Sequence, residues 1–185
     1  MVSIKALKMH NKNADDLSAL VARARENPAA FGHLYDLYIQ PVFRYLYRHV
    51  DTLQDAEDLT SQTFVSAYEA LPRFHGGNHF AAWLFGIARH KLMDYYRRKS
   101  SQPQMENFEA LTKEEDILGQ VILDEEMSHL RSLIQNLTRE EQDLIYLRYL
   151  VGLSYAEIAE LVGKNMEAVK KSVYRLLARL KSQME

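Results

Sequence analysis

The sequence predicts an all-α protein of two small helical domains joined by a flexible acidic linker. Three observations carry this reading. Glycine and proline are scarce, at 7 and 4 residues, while Leu, Ala, Glu, Lys and Arg are plentiful, a balance that favours helices over strands and turns. Apolar residues recur at helical spacing through most of the chain. Between about Ser100 and Asp124 that periodicity is lost, and Ser, Gln, Pro103 and acidic residues gather instead, the composition of a linker. With 185 residues, 47% of them apolar, the chain can build one medium domain or two small ones around packed cores.

Taken in order, Asp15 or Asp16 can cap a short helix with Leu17, Leu20, Val21 and Ala24 on its apolar face. Pro28 suits the first turn of the next helix, where its missing N–H costs nothing. That helix places Phe31, Leu34, Tyr35, Tyr38, Val42 and Leu46 at helical spacing, with Pro41 a candidate kink. A third helix runs from about Leu53 to Leu71 and is stopped by Pro72. The loop Arg73-Phe74-His75-Gly76-Gly77-Asn78 follows, its glycine pair marking a turn. A fourth helix begins near His79 and lines up Phe80, Trp83, Leu84, Ile87, Ala88, Leu92 and Tyr95. The domains expected are an N-terminal extension with a short helix (1–27), a helical bundle (28–99), the linker (100–127) and a second helical unit (128–185).

The second unit is short and punctuated. Thr138 with Glu141, and Ser154 with Glu157, are capping boxes in which hydroxyl and carboxylate satisfy each other's backbone N–H. Gly152 ends the helix that carries Leu144, Ile145, Leu147 and Leu150; Gly163 makes the next turn. Asn165 can then cap a last helix with Val169, Val173, Leu176, Leu177 and Leu180 on one side.

No cysteine is present, which excludes disulfides, thiolate zinc sites and a Cys nucleophile and fits a cytoplasmic location. No apolar run approaches the ~20 residues of a membrane span, and the start lacks a signal-peptide core. The net charge of -2 hides a segregation. Arg89, Lys91, Arg97, Arg98 and Lys99 stand against Asp94 alone; from Gly163 to Glu185 six basic residues face two acidic ones. Between these patches, Glu106 to Glu126 holds eight acidic residues and only Lys113. Two basic patches separated by an acidic stretch suit two contacts with one polyanion, although charge runs are commonly plain solvated faces.

Short helix, glycine turn and longer basic helix form the helix-turn-helix pattern. Ala159 is small where the two helices would cross, Gly163 can take the positive φ of the turn, and Val169 with Val173 would pin the second helix. Lys170, Lys171, Tyr174 and Arg175 then project outward, able to reach guanine edges or phosphates. An ordinary helical hairpin with a wet basic face would carry the same pattern.

The motifs Asp55-Ala56-Glu57-Asp58-Leu59-Thr60 with Phe64 and Ala67-Tyr68, then Trp83-Leu84-Phe85-Gly86-Ile87-Ala88-Arg89, then Asp94-Tyr95-Tyr96-Arg97-Arg98, and finally Gly152-Leu153-Ser154-Tyr155-Ala156-Glu157-Ile158-Ala159 occur in that order. In this layout the chain resembles the extracytoplasmic-function class of bacterial RNA polymerase sigma factors, within the sigma-70 family. Roughly Phe31 to Lys99 is similar to that family's region two and Leu130 to Lys181 to its region four.

The resemblance implies a transcription initiation factor with core RNA polymerase and promoter DNA as partners, no catalytic activity, and no cofactor or metal. It implies that Asp55, Asp58, Gln62 and Phe64 dock on the polymerase; the residues alone favour a solvated acidic face with Phe64 in the core. It implies that Phe74, His75 and Asn78 form a pocket for bases of the minus-ten element, with His90, Lys91, Asp94, Arg97 and Arg98 along the duplex. Melting there unstacks bases at a cost of about a few kcal/mol per step, offset by capture of the flipped bases. Lys170, Lys171, Tyr174 and Arg175 would read the minus-thirty-five element. An anti-sigma protein is a further expected partner, and the acidic linker would pass along the RNA path or serve as a solubilising tether.

This chain departs from the usual pattern at Ser61-Gln62, at Asn165-Met166-Glu167-Ala168 and at Ser172. Before Asn27 the likeness is loose. An enzyme is the first rival: His75 and His79 have ligand-like spacing but no carboxylate completes a site, and phosphate loops and nucleophile motifs are missing. A stand-alone helix-turn-helix regulator is the second, and it leaves the block from Asp55 to Arg98 without a role. A protein-interaction module is the third, and it would show no salt-dependent DNA affinity.

Overall fold

The computed structural model describes residues 14–76, 79–100 and 125–184. The chain divides into two compact units, one ending at Ala110 and the other beginning at Leu111. In the first, α1 (Ala14–Ala24), α2 (Pro28–Tyr47), α3 (Leu53–Ala70) and α4 (Phe80–Ser100) are all helical. Helix α2 lies against the other three, and α3 packs on α4. Leu34, Val42, Leu46, Phe80, Leu84 and Phe85 are among the fully buried side chains where these helices meet.

Local chemistry sets most of the boundaries. Asn27 caps α2 by accepting from the Ala29 N–H (2.9 Å), and Pro28 takes the first turn. The helix runs through Pro41 to Tyr47 as one element. Thr52 caps α3 by accepting from the Asp55 N–H at 3.0 Å. One boundary corrects the sequence reading: helix α1 already includes Ala14, so Asp15 and Asp16 lie within it rather than ahead of it. Helix α3 ends at Ala70, within a residue of the expected stop, and Pro72 follows in a 3-10 turn, Leu71–Arg73.

The second unit contains α5 (Glu125–Gln135), α6 (Arg139–Ile145), a π-helical stretch (Tyr146–Val151), α7 (Tyr155–Val162) and α8 (Met166–Met184). Leu137, Ile145, Leu176 and Leu180 form a buried cluster flanked by Leu133, Ile134 and Leu177. Both capping boxes are made, Glu141 accepting from the Thr138 N–H at 3.0 Å and Glu157 from the Ser154 N–H at 2.7 Å. Gly152 (φ 90°) and Gly163 (φ 71°) close the π-helical stretch and α7 in the left-handed region that an L side chain enters only with strain. The widened turn before Gly152 was not foreseen; there both Gly152 and Leu153 donate to the Leu147 carbonyl, at 3.0 and 2.9 Å. Among the described residues, no helix is long and apolar enough to cross a membrane. The expected N-terminal extension up to residue 13 and the linker from 101 to 124 lie outside the described residues.

Candidate docking and nucleic-acid surfaces

Helix α3 buries Ala56, Leu59, Thr60, Thr63, Phe64 and Ala67. Two threonines tolerate burial because each hydroxyl donates to its own helix, Thr60 to the Ala56 carbonyl and Thr63 to Leu59, both at 2.7 Å. Phe64 is consequently a core residue, 4% exposed, with its ring edge-on to Tyr35 at 4.7 Å. The ring is packed in the bundle, as the core reading of this residue expects. Asp58 and Gln62 do face outward, with Val65 (55% exposed) and Tyr68 (46%) continuing their stripe. Val65 is an exposed apolar residue that the sequence reading did not single out. Asp55, at the head of the stripe, is half-buried and engaged: its carboxylate accepts from the Thr52 hydroxyl (2.7 Å) and the Tyr95 hydroxyl (3.2 Å).

The loop after α3 is built around Phe74. Its ring lies 4.6 Å from Trp83 and 6.0 Å from Phe80, leaving the residue 9% exposed. Gly76 passes so close that an added Cβ would come within 2.6 Å of that ring. Phe74 is thus packed against Phe80 and Trp83, with little of its ring open. His75 stays exposed, its Nδ1–H donating to the Arg73 carbonyl (2.8 Å) and its Nε2 lying 3.4 Å from the Arg25 guanidinium. Asn78 lies outside the described residues. Trp83 is half-buried against Phe74 and Phe80, as the helical phase suggested.

On α4, His90, Lys91, Asp94, Arg97 and Arg98 fall along one side, Arg97 paired with Asp94 at 2.9 Å. One basic residue counted in this patch points elsewhere. Lys99 forms an ion pair with Asp51 in the α2–α3 connector, and Tyr95 joins the same group through Asp55. Desolvation, reinforced by the charges of Asp55 and Asp51, holds the Tyr95 hydroxyl in its protonated, donating form well beyond the ordinary tyrosine range.

In the second unit, α7 and α8 cross with Ala159, Val169 and Val173 buried. The Asn165 side chain accepts from the Glu167 N–H at 2.8 Å at the start of α8. Lys171, Tyr174 and Arg175 are exposed and Lys170 half-buried, and the Tyr174 ring lies 6.3 Å from that of Tyr155. Two other cations of this region serve the fold: Lys164 pairs with Glu140, and Arg179 with Glu141 at 2.7 Å. The outward positive charge is therefore smaller than the sequence count and concentrated on the first turns of α8.

A helical bundle with a polar outward stripe, followed by a helix-turn-helix unit whose second helix presents cations, gives a protein of two helical units, the second of helix-turn-helix class. Comparison with known proteins gives the family. Residues 34–102 match the model of sigma-70 region 2 and residues 129–180 that of sigma-70 region 4. The ECF RNA polymerase sigma factor BldN of Streptomyces coelicolor is 39% identical over 171 residues, which are 87% of this chain and 63% of that protein. The RNA polymerase sigma factor YlaC of Bacillus subtilis is 33% identical over 158 residues, 82% of this chain and 90% of that one. Among solved structures, CnrH in complex with the cytosolic domain of CnrY aligns with a TM-score of 0.60 at 27% identity, covering 92% of this chain and 96% of CnrH. The chain belongs to the extracytoplasmic-function class of the sigma-70 family of transcription initiation factors.

Proposed function

We propose that this protein binds core RNA polymerase and directs it to promoters through two separate DNA contacts. The outward stripe of α3, with Asp58 and Gln62 at its centre and Val65 as its apolar element, docks on the polymerase. Asp55 supports the head of that stripe. The side of α4 formed by His90, Lys91, Asp94, Arg97 and Arg98, with the His75–Asn78 loop, engages the minus-ten element and favours its opening. Phe74 and Trp83 hold the loop from beneath. Lys170, Lys171, Tyr174 and Arg175 enter the major groove of the minus-thirty-five element.

The observation that carries this reading is the division of labour on α8. Val169 and Val173 are fully buried while Lys171, Tyr174 and Arg175 face outward behind a left-handed Gly163. That arrangement supports a recognition helix, with positions fixed by the core on one side and open to base edges on the other. A stand-alone regulator would use α8 equally well, but it gives the α3 stripe no partner. The protein works in the cytoplasm, and an anti-sigma protein that masks the docking and DNA-reading surfaces restrains it. CnrH, solved in complex with the cytosolic domain of CnrY, offers a relative with a protein partner of its own.

Replacing Lys171 or Arg175 with alanine tests the assignment. Each substitution is expected to weaken promoter binding by the reconstituted polymerase, and Lys171→Ala to reduce the salt slope by about one if it meets a phosphate. Unchanged promoter affinity and salt dependence for both variants would remove α8 from the DNA interface.

A further inference from the structure

The α2–α3 connector, residues 48–52, is held from one side by α4. Three side chains from the last two turns of that helix converge on it. Tyr96 donates its hydroxyl to the His49 carbonyl. Lys99 pairs with the Asp51 carboxylate. The Tyr95 hydroxyl lies 3.2 Å from Asp55 Oδ2 and 3.4 Å from Asp51 Oδ2, so its single proton is shared between two carboxylates. The Lys99 ammonium sits 5.8 Å from the centre of the Tyr95 ring, and the two tyrosine rings pack at 5.6 Å. Asp55 also belongs to the start of α3, where Thr52 and Asp55 bond reciprocally.

One carboxylate is thereby common to the start of α3 and the end of α4. Asp58 follows Asp55 by one helical turn on α3, and Arg97 and Arg98 lie between Tyr96 and Lys99 on α4. Lys99 and Asp51 are each partly exposed, with 38% and 41% of their side-chain surface open to solvent. An isolated pair of that kind contributes little to stability. Its geometric effect is larger, because it fixes where the last turn of α4 stands relative to α3, and a small misplacement of a nucleic-acid-binding turn is felt in a melting step.

We propose that Asp51, Tyr95 and Lys99 form a clamp that couples polymerase docking to promoter opening, acting as positioning residues for the α4 side that carries Arg97 and Arg98. The proposal rests on reading α3 as the docking helix and α4 as the strand-opening helix. Lys99 works here through Asp51 and contributes no direct DNA contact.

The test uses the full chain reconstituted with core polymerase on a promoter that the wild-type protein opens. Core affinity is measured by competition and opening by permanganate reactivity of unpaired thymines. Asp51→Lys and Lys99→Asp are each expected to slow opening by about five-fold or more, with core affinity unchanged within about two-fold. The combined Asp51→Lys/Lys99→Asp protein restores opening to within about two-fold of wild type. Tyr95→Phe, which keeps the ring and loses only the shared proton, slows opening in the same direction and covers the case in which a charge reversal prevents folding. Recovery in the combined variant is a result that loss of a DNA-contacting lysine could not give.

Three outcomes overturn the clamp. They are opening unaffected by the single substitutions and by Tyr95→Phe, a combined variant no better than Lys99→Asp alone, or core affinity falling in step with opening. Failure of the wild-type protein to bind core polymerase or to open any promoter would instead overturn the reading on which the clamp rests.

Discussion

Replacing Phe64 with alanine removes a ring that is 4% exposed and lies edge-on to Tyr35 at 4.7 Å in the first unit. Burial at this level places the substitution among core truncations, which cost about 3–5 kcal/mol. Each kcal/mol lowers the melting temperature of a domain this size by about 4–8 °C, so the expected drop is at least about 12 °C. Trp83 is the only tryptophan in the chain, and it packs 4.6 Å from Phe74 within the same unit. Its fluorescence reports the melting of this unit and is blind to the other. Phe64→Leu, which retains most of the buried volume but loses the edge-on contact with Tyr35, is expected to cost about 1 kcal/mol, a drop of about 4–8 °C, and to bind polymerase normally. A Phe64→Ala protein that melts within about 3 °C of wild type yet no longer binds polymerase would refute this reasoning and return Phe64 to the docking surface.

Two further predictions concern the second unit. Thr138→Ala and Ser154→Ala each remove a capping-box hydroxyl and should each cost about 1 kcal/mol, read as faster amide exchange in α6 and α7 respectively. The Thr138 N–H, and then Arg179, hold the Glu141 carboxyl below its ordinary pKa of 4.5, so its stabilising contribution is complete above that pH and is lost as pH falls below it. Glu141→Gln should preserve the cap but flatten the loss of α6 and α8 protection between neutral pH and the acid range; an unaltered pH profile would count against the stabilisation of the Glu141 carboxylate by the Thr138 N–H and Arg179.

The sequence was most informative where structure depends on near neighbours. Pro28, the two capping boxes and Gly163 are each decided within a few residues, and each stands where its chemistry directs. The inward side of α8 was equally legible, because Val169, Val173, Leu176 and Leu180 are apolar at an unambiguous spacing. Helix α3 was harder. Thr60 and Thr63 read as polar, yet their hydroxyls bond back to the helix and let the buried face include them beside Phe64, while Val65 stands exposed. Pairs made across elements carry no local signal at all. Lys99 looked like one more cation of a basic patch until packing brought it to Asp51, 48 positions away, and Lys164 and Arg179 are likewise spent on α6. The π-helical turn before Gly152, which buries Tyr146 and Leu147, leaves no periodic trace in so short a stretch.

The central claim is tested most directly by transcription in vitro with bacterial core polymerase on pooled fragments of the source genome, with and without the protein. The account predicts new, discrete start sites that appear only with the protein and are lost when Asp58 and Gln62 are both changed to alanine while the Trp83-monitored melt is unchanged. No binding to core polymerase, with promoter-like DNA bound by the protein alone, would contradict it and make a stand-alone regulator the better description.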